Sequence, residues 1–231
     1  MNDTQAMETT KSRLLQAALP HVPFDGWSDA ALAAAITDSQ TPPGLARALF
    51  PRGGIDLALA YHAAGDRQLQ QTLATTDMAA DMAALRFRDR VATAIRLRLQ
   101  LADRECVRRG AALFALPQNA GAGSRALWAT ADTIWTALGD TSTDFNWYTK
   151  RASLSAVYAA TVLFWLGDDS TDQIATWQFL DRRIENVMRF EKAKASFLRE
   201  NSLGKALVDG PLKMLERIRA PKGTNDLPGK L

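Results

Sequence analysis

The stretch Ser28-Asp29-Ala30-Ala31-Leu32-Ala33-Ala34-Ala35-Ile36-Thr37-Asp38-Ser39-Gln40-Thr41-Pro42-Pro43-Gly44-Leu45-Ala46-Arg47-Ala48-Leu49-Phe50 decides the fold class. Ser28 can cap a helix over 29–36, with Asp29 set against the positive end of the helix dipole. Thr41-Pro42-Pro43 then starts a short helix over 44–50, which Pro51 ends. Two helices joined by a tight turn are the core of a helix-turn-helix. A first helix over 9–19, stopped by Pro20, precedes them. The intervening loop, 20–27, offers Phe24 and Trp27 as plugs.

Outward from this head the same periodicity continues. Apolar residues recur at three- and four-residue spacing, and alanine and leucine dominate. Apolar/polar alternation and Asn-Gly or Asp-Gly hairpins are missing. Helices are predicted over 55–75, 77–102, to about 116, 124–138, 143–166 and 171–199. Ser170 with Gln173 makes a capping box for the last of these. The sequence predicts an all-α protein whose layout resembles a TetR-like fold: a three-helix helix-turn-helix head at 1–52 and a helical ligand-binding body at 53–200. A C-terminal amphipathic helix and disordered tail occupy 201–231.

The 231 residues carry a net charge of only +3, unevenly spread. Residues 1–60 hold four basic and six acidic side chains, and residues 178–231 hold twelve and seven. A polyanionic surface would therefore meet the C-terminal end. One cysteine, Cys106, excludes an intramolecular disulfide or a multi-cysteine metal site, and two histidines leave little for zinc. No apolar run reaches the length of a membrane span. Residues 1–10 lack the basic and apolar regions of a secretory signal, so a cytoplasmic location is expected.

Reading DNA needs exposed polar and cationic side chains on the recognition helix. Over 44–50 only Arg47 qualifies, and Asp25, Asp29, Asp38 and Asp56 surround the turn, so no nucleic-acid partner is expected. No enzyme is expected either, and no cofactor or metal. Asp168-Asp169 precede a helix start, where carboxylates serve the dipole. His62 lies beside Tyr61 and near Asp66 and reads as a half-buried or surface residue. Cys106 has Arg104, Arg108 and Arg109 nearby, which could lower its pKa, yet without a partner base or second thiol it reads as inert. Gly121-Ala122-Gly123 reads as a loop.

Three features stand out. Asn146-Trp147-Tyr148-Thr149-Lys150-Arg151 opens a helix that is apolar nearly all round from 152 to 166, which marks a central element. Trp147 and Tyr148 lie about 100° apart on it, so at least one should face outward beside Lys150 or Arg151. Exposed aromatics next to cations are characteristic of interfaces. Leu212, Met214, Leu215 and Ile218 share one side of a helical wheel opposite Lys213 and Arg217. That suits either an anionic membrane surface or packing on protein. Trp128 and Trp135 are seven residues apart with Ala131 between, a spacing that leaves a slot for a ligand or a neighbouring helix.

Asn146-Trp147-Tyr148-Thr149-Lys150-Arg151, then Leu154, Tyr158, Thr161, Asp169-Ser170 and Thr176-Trp177-Gln178-Phe179-Leu180-Asp181-Arg182-Arg183, resemble the signature of the ubiquinone-biosynthesis accessory protein family called Coq-nine. His21-Val22-Pro23-Phe24-Asp25-Gly26-Trp27 resembles that family's start, and the likeness runs from about residue 13 to 219. Val162 and Ala175 depart from acidic residues common in eukaryotic members. The resemblance implies a non-catalytic TetR-like protein that binds an isoprenoid quinone intermediate or phospholipid and assists the demethoxyubiquinone hydroxylase. It implies a hydroxylase patch at Trp147 and Tyr148, and Lys150, Arg151, Leu154 and Tyr158 are expected to share it. Trp128, Trp135, Phe164 and Trp165 are the expected lipid contacts. Leu212, Lys213, Met214, Leu215, Arg217 and Ile218 would engage the membrane, and the last two long helices would form a homodimer. Without a presequence the chain reads as a bacterial member, peripheral on the inner face of the inner membrane. The alternative is a ligand-responsive TetR-type repressor.

Overall fold

The computed structural model describes residues 3–200 and 219–220, with side chains to 190 and at 219–220. The expected membrane residues, Leu212 to Ile218, and the tail lie outside the described residues. Eleven α-helices and one 3-10 turn make up the described chain, and no strand occurs among the described residues. They are α1 (Asp3–Ala18), α2 (Val22–Asp25), α3 (Asp29–Asp38), α4 (Pro43–Leu49), α5 (Gly54–Leu73) and α6 (Thr76–Ala84). There follow α7 (Phe87–Gln100), α8 (Arg104–Phe114), α9 (Ala120–Ala137), α10 (Phe145–Leu166) and, after the turn Thr171–Gln173, α11 (Ile174–Glu200). None of the described helices is long and apolar enough to cross a membrane.

Contacts divide the chain into two compact units, Met1–Met82 with Ala94–Thr130, and Ala83–Thr93 with Ala131–Leu231. The expected head, 1–52, lies wholly within the first unit, which continues into α5, α7, α8 and α9.

In the first unit Ser28 caps α3 as its sequence predicts, accepting a hydrogen bond from the Ala31 amide at 3.2 Å. Leu14, Ala18, Val22, Ala35, Ala46, Phe50 and Leu57 build the apolar core. Trp27 is a plug: it is buried, tilts against Tyr61 at 5.2 Å, and its indole N–H donates to the Cys106 carbonyl at 2.9 Å. Phe24 is not, being 85% exposed. One turn of helix cannot turn every apolar residue inward. Val22 takes the buried side of α2, and Phe24, about 200° further round, is left outside.

Two other expectations fail for local reasons. The predicted helix over 77–102 is broken at Leu85-Arg86 into α6 and α7. Arg90 reaches back to the exposed carbonyls of Ala83 and Leu85, both at 3.0 Å, and satisfies the end of α6. Gly121-Ala122-Gly123 is not a loop but the first turn of α9. A Cβ on Gly123 would stand 2.7 Å from Phe114 Cβ, so glycine here serves the close approach of α8 and α9.

A buried polar cluster pins α5, α7 and α9 together. Arg98 Nε donates to Asp66 Oδ1 at 2.7 Å, Thr130 Oγ1 donates to both Asp66 oxygens, and His62 Nε2 lies 2.7 Å from Thr130 Oγ1. Gly65 makes room for the Arg98 guanidinium, which a Cβ would meet at 2.6 Å. Burial lowers the His62 pKa below 6.5, against the opposing pull of Asp66.

In the second unit α10 packs on α11, burying Leu154, Val157, Thr161 and Trp165 from the first and Thr176, Leu180 and Ile184 from the second. Asp168 anchors the turn between them, accepting from the Ser170 and Thr176 amides and from the Thr176 hydroxyl. The Thr176 and Ser170 bonds hold its carboxyl well below the usual range. Its role is structural, as its position before a helix implies.

Candidate ligand-binding site

Two clefts stand out among the described residues. One, of about 500 Å³ in the first unit, is lined by Glu8, Lys11, Arg52, Asp56 and Arg67 as well as aliphatic carbons. Its lining mixes these charges with Leu15, Leu49 and Leu59, so it is more polar than the second cleft. The other, of about 380 Å³ in the second unit, lies among α7, α9, α10 and α11 and is predominantly apolar. Phe87, Val91, Trp135, Leu154, Val157, Ile184, Val187 and Met188 supply its hydrocarbon walls, and Arg88, Asn146, Thr149, Lys150 and Ser153 its polar edge. Its volume falls within the usual range for small-molecule sites.

Asp144 caps α10 through the Asn146 amide at 3.0 Å, which sets the register of the helix. Asn146, Lys150, Ser153 and Val157, three or four residues apart, therefore share one face. Trp135 is fixed on three sides. Phe87 stacks on it at 5.5 Å, the Lys150 ammonium lies 5.2 Å from its ring centroid, and its indole N–H donates to the Lys150 carbonyl at 3.1 Å.

Behind this wall lies a buried ion cluster. Asp140 accepts from Lys150 Nζ at 2.8 Å through one oxygen and from Arg151 Nη1 at 3.0 Å through the other, and Ser142 bonds both Asp140 and Lys150. Arg151 Nε also donates to Asp132 at 2.6 Å. Burial of Asp140 pushes its pKa up, but the bonds from Lys150, Ser142 and Arg151 outweigh that and hold it at about 2.

Of the expected lipid contacts, Trp135 alone lines this cleft. Trp128 is half-buried in the first unit. Phe164 stacks on Phe179 at 4.5 Å and is 37% exposed, while Trp165 is buried and donates to the Gln173 side chain at 2.9 Å. Phe87 and the α11 residues were missed because nothing in the linear sequence brings them to Trp135.

The expected partner patch is also arranged differently. Trp147, Arg151, Leu154 and Tyr158 are buried, and Tyr148 and Lys150 are half-buried. Arg151 does not flank an exposed aromatic; it folds inward over Trp147, 4.0 Å from the ring centroid. Two carboxylates draw it there, one from α9 and one from the loop after it. Tyr148 packs edge-on against Trp147 at 4.8 Å and donates its hydroxyl to the Arg219 carbonyl at 3.2 Å. The Ala220 amide donates to the Thr143 carbonyl at 3.0 Å, so the chain beyond the undescribed segment returns to the start of α10.

The inert reading of the Cys106 thiol agrees with its surroundings, and the nearby arginines do not lower its pKa. Burial pushes the Cys106 thiol up to about 12, with Asp103 and Glu105 adding to it. Arg108 and Arg109 are spent on Glu105.

The fold is that of the TetR regulators. The crystal structure of a TetR transcriptional regulator from Nitrosomonas europaea ATCC 19718 superposes with a TM-score of 0.61 over 77% of this chain and 97% of that one, at 16% identity. That likeness speaks for fold alone. Sequence narrows it. The COQ9 family profile matches residues 120–191, which include the cleft residues of α9, α10 and α11. Human "Ubiquinone biosynthesis protein COQ9, mitochondrial" is 31% identical over 96% of this chain and 70% of its own length. The rat protein of the same name is 32% identical over 96% and 72%. A Dictyostelium discoideum relative, "Probable ubiquinone biosynthesis protein coq9, mitochondrial", is 30% identical over 80% and 61%. The chain belongs to the COQ9 family of ubiquinone biosynthesis proteins.

Proposed function

We propose that this chain is a lipid-binding accessory protein of ubiquinone biosynthesis, without catalytic activity of its own. It holds an isoprenoid quinone intermediate in the cleft of the second unit and presents it to the demethoxyubiquinone hydroxylase at a membrane. The carrying observation is the apolar cleft itself, walled by Trp135 and Phe87 and bordered by the start of α10. A prenyl tail gains about 0.8 kcal/mol for each CH₂ removed from water, so transfer out of a bilayer needs an apolar host. Docking at the membrane falls to Leu212 to Ile218, the hydroxylase contact to the Tyr148 end of α10, and homodimer formation to α10 and α11. The working site is cytoplasmic, on the inner face of a bacterial inner membrane.

A repressor role is poorly supported by α4, which turns Gly44, Leu45, Arg47 and Ala48 outward. Only one of these can address a phosphate or a base edge.

The test is mass spectrometry of lipids extracted from protein purified without detergent, for the wild type and for Met188→Glu. Stoichiometric isoprenoid quinone in the first and its loss in the second supports the reading. Empty protein, or lipid that survives Met188→Glu, overturns the cleft assignment. Capture of the hydroxylase by wild type and not by Tyr148→Ala supports the contact surface, and unchanged capture refutes it.

A further inference from the structure

The carbonyl of Arg219 accepts from the Tyr148 hydroxyl at 3.2 Å, and the amide of Ala220 donates to the Thr143 carbonyl at 3.0 Å. Those two groups belong to one peptide unit. In a trans peptide the C=O and N–H point in opposite directions, so the 219–220 peptide is gripped from both sides by the start of α10. Both bonds are made to its main-chain atoms, and the grip is indifferent to the Arg219 and Ala220 side chains.

Each half of the clamp has a local cause. Asp144 caps α10, and its carbonyl takes the Trp147 amide at 3.0 Å. The Thr143 carbonyl therefore lies outside the helix ladder and is open to a donor. Tyr148 packs edge-on against Trp147 at 4.8 Å, and Arg151 lies over the Trp147 ring, which fixes the place of the Tyr148 hydroxyl. On the other side, Pro221 biases Ala220 away from helical backbone and towards an extended one. Neither Arg219 nor Ala220 is helical.

The clamp is weak enough to open. A neutral hydrogen bond is worth a factor of about two to ten in an equilibrium constant. At 3.2 Å the hydroxyl bond is long for an O–H donor. Thr143 and Arg219 are exposed and Tyr148 is half-buried, so water competes for both bonds. The closed form is therefore favoured over the open one by about tenfold, not by thousands.

Resting on the hydroxylase contact proposed above for Tyr148, we infer that the 219–220 peptide is an internal competitor for that contact. Clamped, it covers the Tyr148 hydroxyl and the Thr143 carbonyl, and the partner docks on molecules in which the clamp is open. A partner that binds only the open form has its apparent affinity reduced by the open fraction, here about tenfold. Release of the self-contact and docking of the partner are then one equilibrium.

The clamped bond follows an arginine, so trypsin measures the clamp with no partner present. The first experiment digests the full chain at constant trypsin and follows cleavage between Arg219 and Ala220 by mass spectrometry. Cleavage of a bond protected this way tracks the open population. Tyr148→Phe keeps the ring and removes the hydroxyl, and is expected to speed this cleavage about threefold. The second experiment measures hydroxylase affinity for the wild type, Ala220→Pro and Tyr148→Ala. Ala220→Pro removes the donated N–H and is expected to tighten binding by up to about tenfold, whereas Tyr148→Ala loses it. If Tyr148→Phe leaves the cleavage rate unchanged, the clamp does not form in solution and the inference is overturned, whatever the partner does. If cleavage accelerates and Tyr148→Ala loses the partner, but Ala220→Pro does not tighten it, the competition is overturned and the contact surface stands. If Tyr148→Ala keeps full affinity, the contact surface itself is wrong and the competition falls with it.

Discussion

Asp140→Asn removes one charge from a cluster of four and gives a prediction with two independent magnitudes. The side chain is almost wholly buried, and each carboxylate oxygen holds a different cation. Removing one partner of a buried pair typically costs about 3–5 kcal/mol. Arg151 keeps Asp132 and Lys150 can reach solvent, so a cost at or below the lower end of that range, about 2–3 kcal/mol, is expected. The pKa gives a second estimate. A carboxyl at about 2 in the folded protein and 3.8 when unfolded contributes about 2 kcal/mol of stability at neutral pH. The sign follows from proton uptake. Between these values the unfolded chain binds more protons, so the contribution is complete above pH 3.8 and is lost as pH falls through 2. About 1 kcal/mol of it should be gone by pH 3. Urea denaturation at pH 7 and pH 3, comparing midpoints at constant slope, measures both. A midpoint shift worth less than about 0.5 kcal/mol at pH 7, or a gap between wild type and variant that does not narrow at pH 3, would refute the reasoning.

Phe24→Ser should change stability by no more than about 0.5 kcal/mol, whereas Trp27→Ala should cost about 3–5 kcal/mol; equal shifts in thermal midpoint would contradict the assigned burial. Cys106 should be inert to a disulfide reagent at pH 8 until the chain unfolds, because a thiol raised to about 12 has almost no thiolate there; fast labelling of native protein would disprove this. Gly123→Leu should cost more than about 2 kcal/mol, since its Cβ alone already collides with Phe114, and Gly121→Ala, which meets open space, should cost little; denaturant midpoints separate the two. The His62 imidazole should titrate below 6.5 in a proton NMR series, and stability tied to its neutral form should be present above 6.5 and fall as pH drops below it.

The helices were legible because their signals are local. The Ser28 cap, the Pro42-Pro43 start and the apolar run over 152–166 each act within one or two turns, and the structure places α3, α4 and α10 within two residues of them. The break between α6 and α7 was not legible, since no proline or glycine marks it. Arg90 makes it viable by satisfying the freed carbonyls, a contact that depends on the break existing. Gly121-Ala122-Gly123 misled for the opposite reason. Glycine weakens a helix on propensity, but here the need for close approach to Phe114 prevails. Of the cleft, Trp135 and Lys150 were legible as unusual residues. Phe87, Ile184 and Met188 were not, because they come from α7 and α11 and are ordinary in their own helices.

The reading of Trp147 and Arg151 shows where a local rule reverses. An aromatic followed by cations on a helix start has two outcomes. The cation can stay solvated beside an exposed ring, or it can fold over the ring and bury both. Desolvating a guanidinium is costly, so the second requires carboxylates to meet it. Asp132 and Asp140 supply them, and they lie 19 and 11 residues before Arg151 in the chain. Spacing within α10 carries no trace of that. The outcome has a functional consequence. Lys150 faces the cleft and Arg151 lies over Trp147, yet both end on the two oxygens of one carboxylate. A perturbation of Trp147 therefore loosens Arg151, then Asp140, then the cation that holds Trp135 in the cleft wall. Trp147→Ala would lower both ligand retention and partner capture, and would not separate them. Tyr148, outside the ion cluster, is the variant that does. If Tyr148→Ala loses the partner and keeps the ligand while Trp147→Ala loses both, the surface and the cleft are distinct sites joined through Asp140. If the two variants behave alike, the joint lies elsewhere.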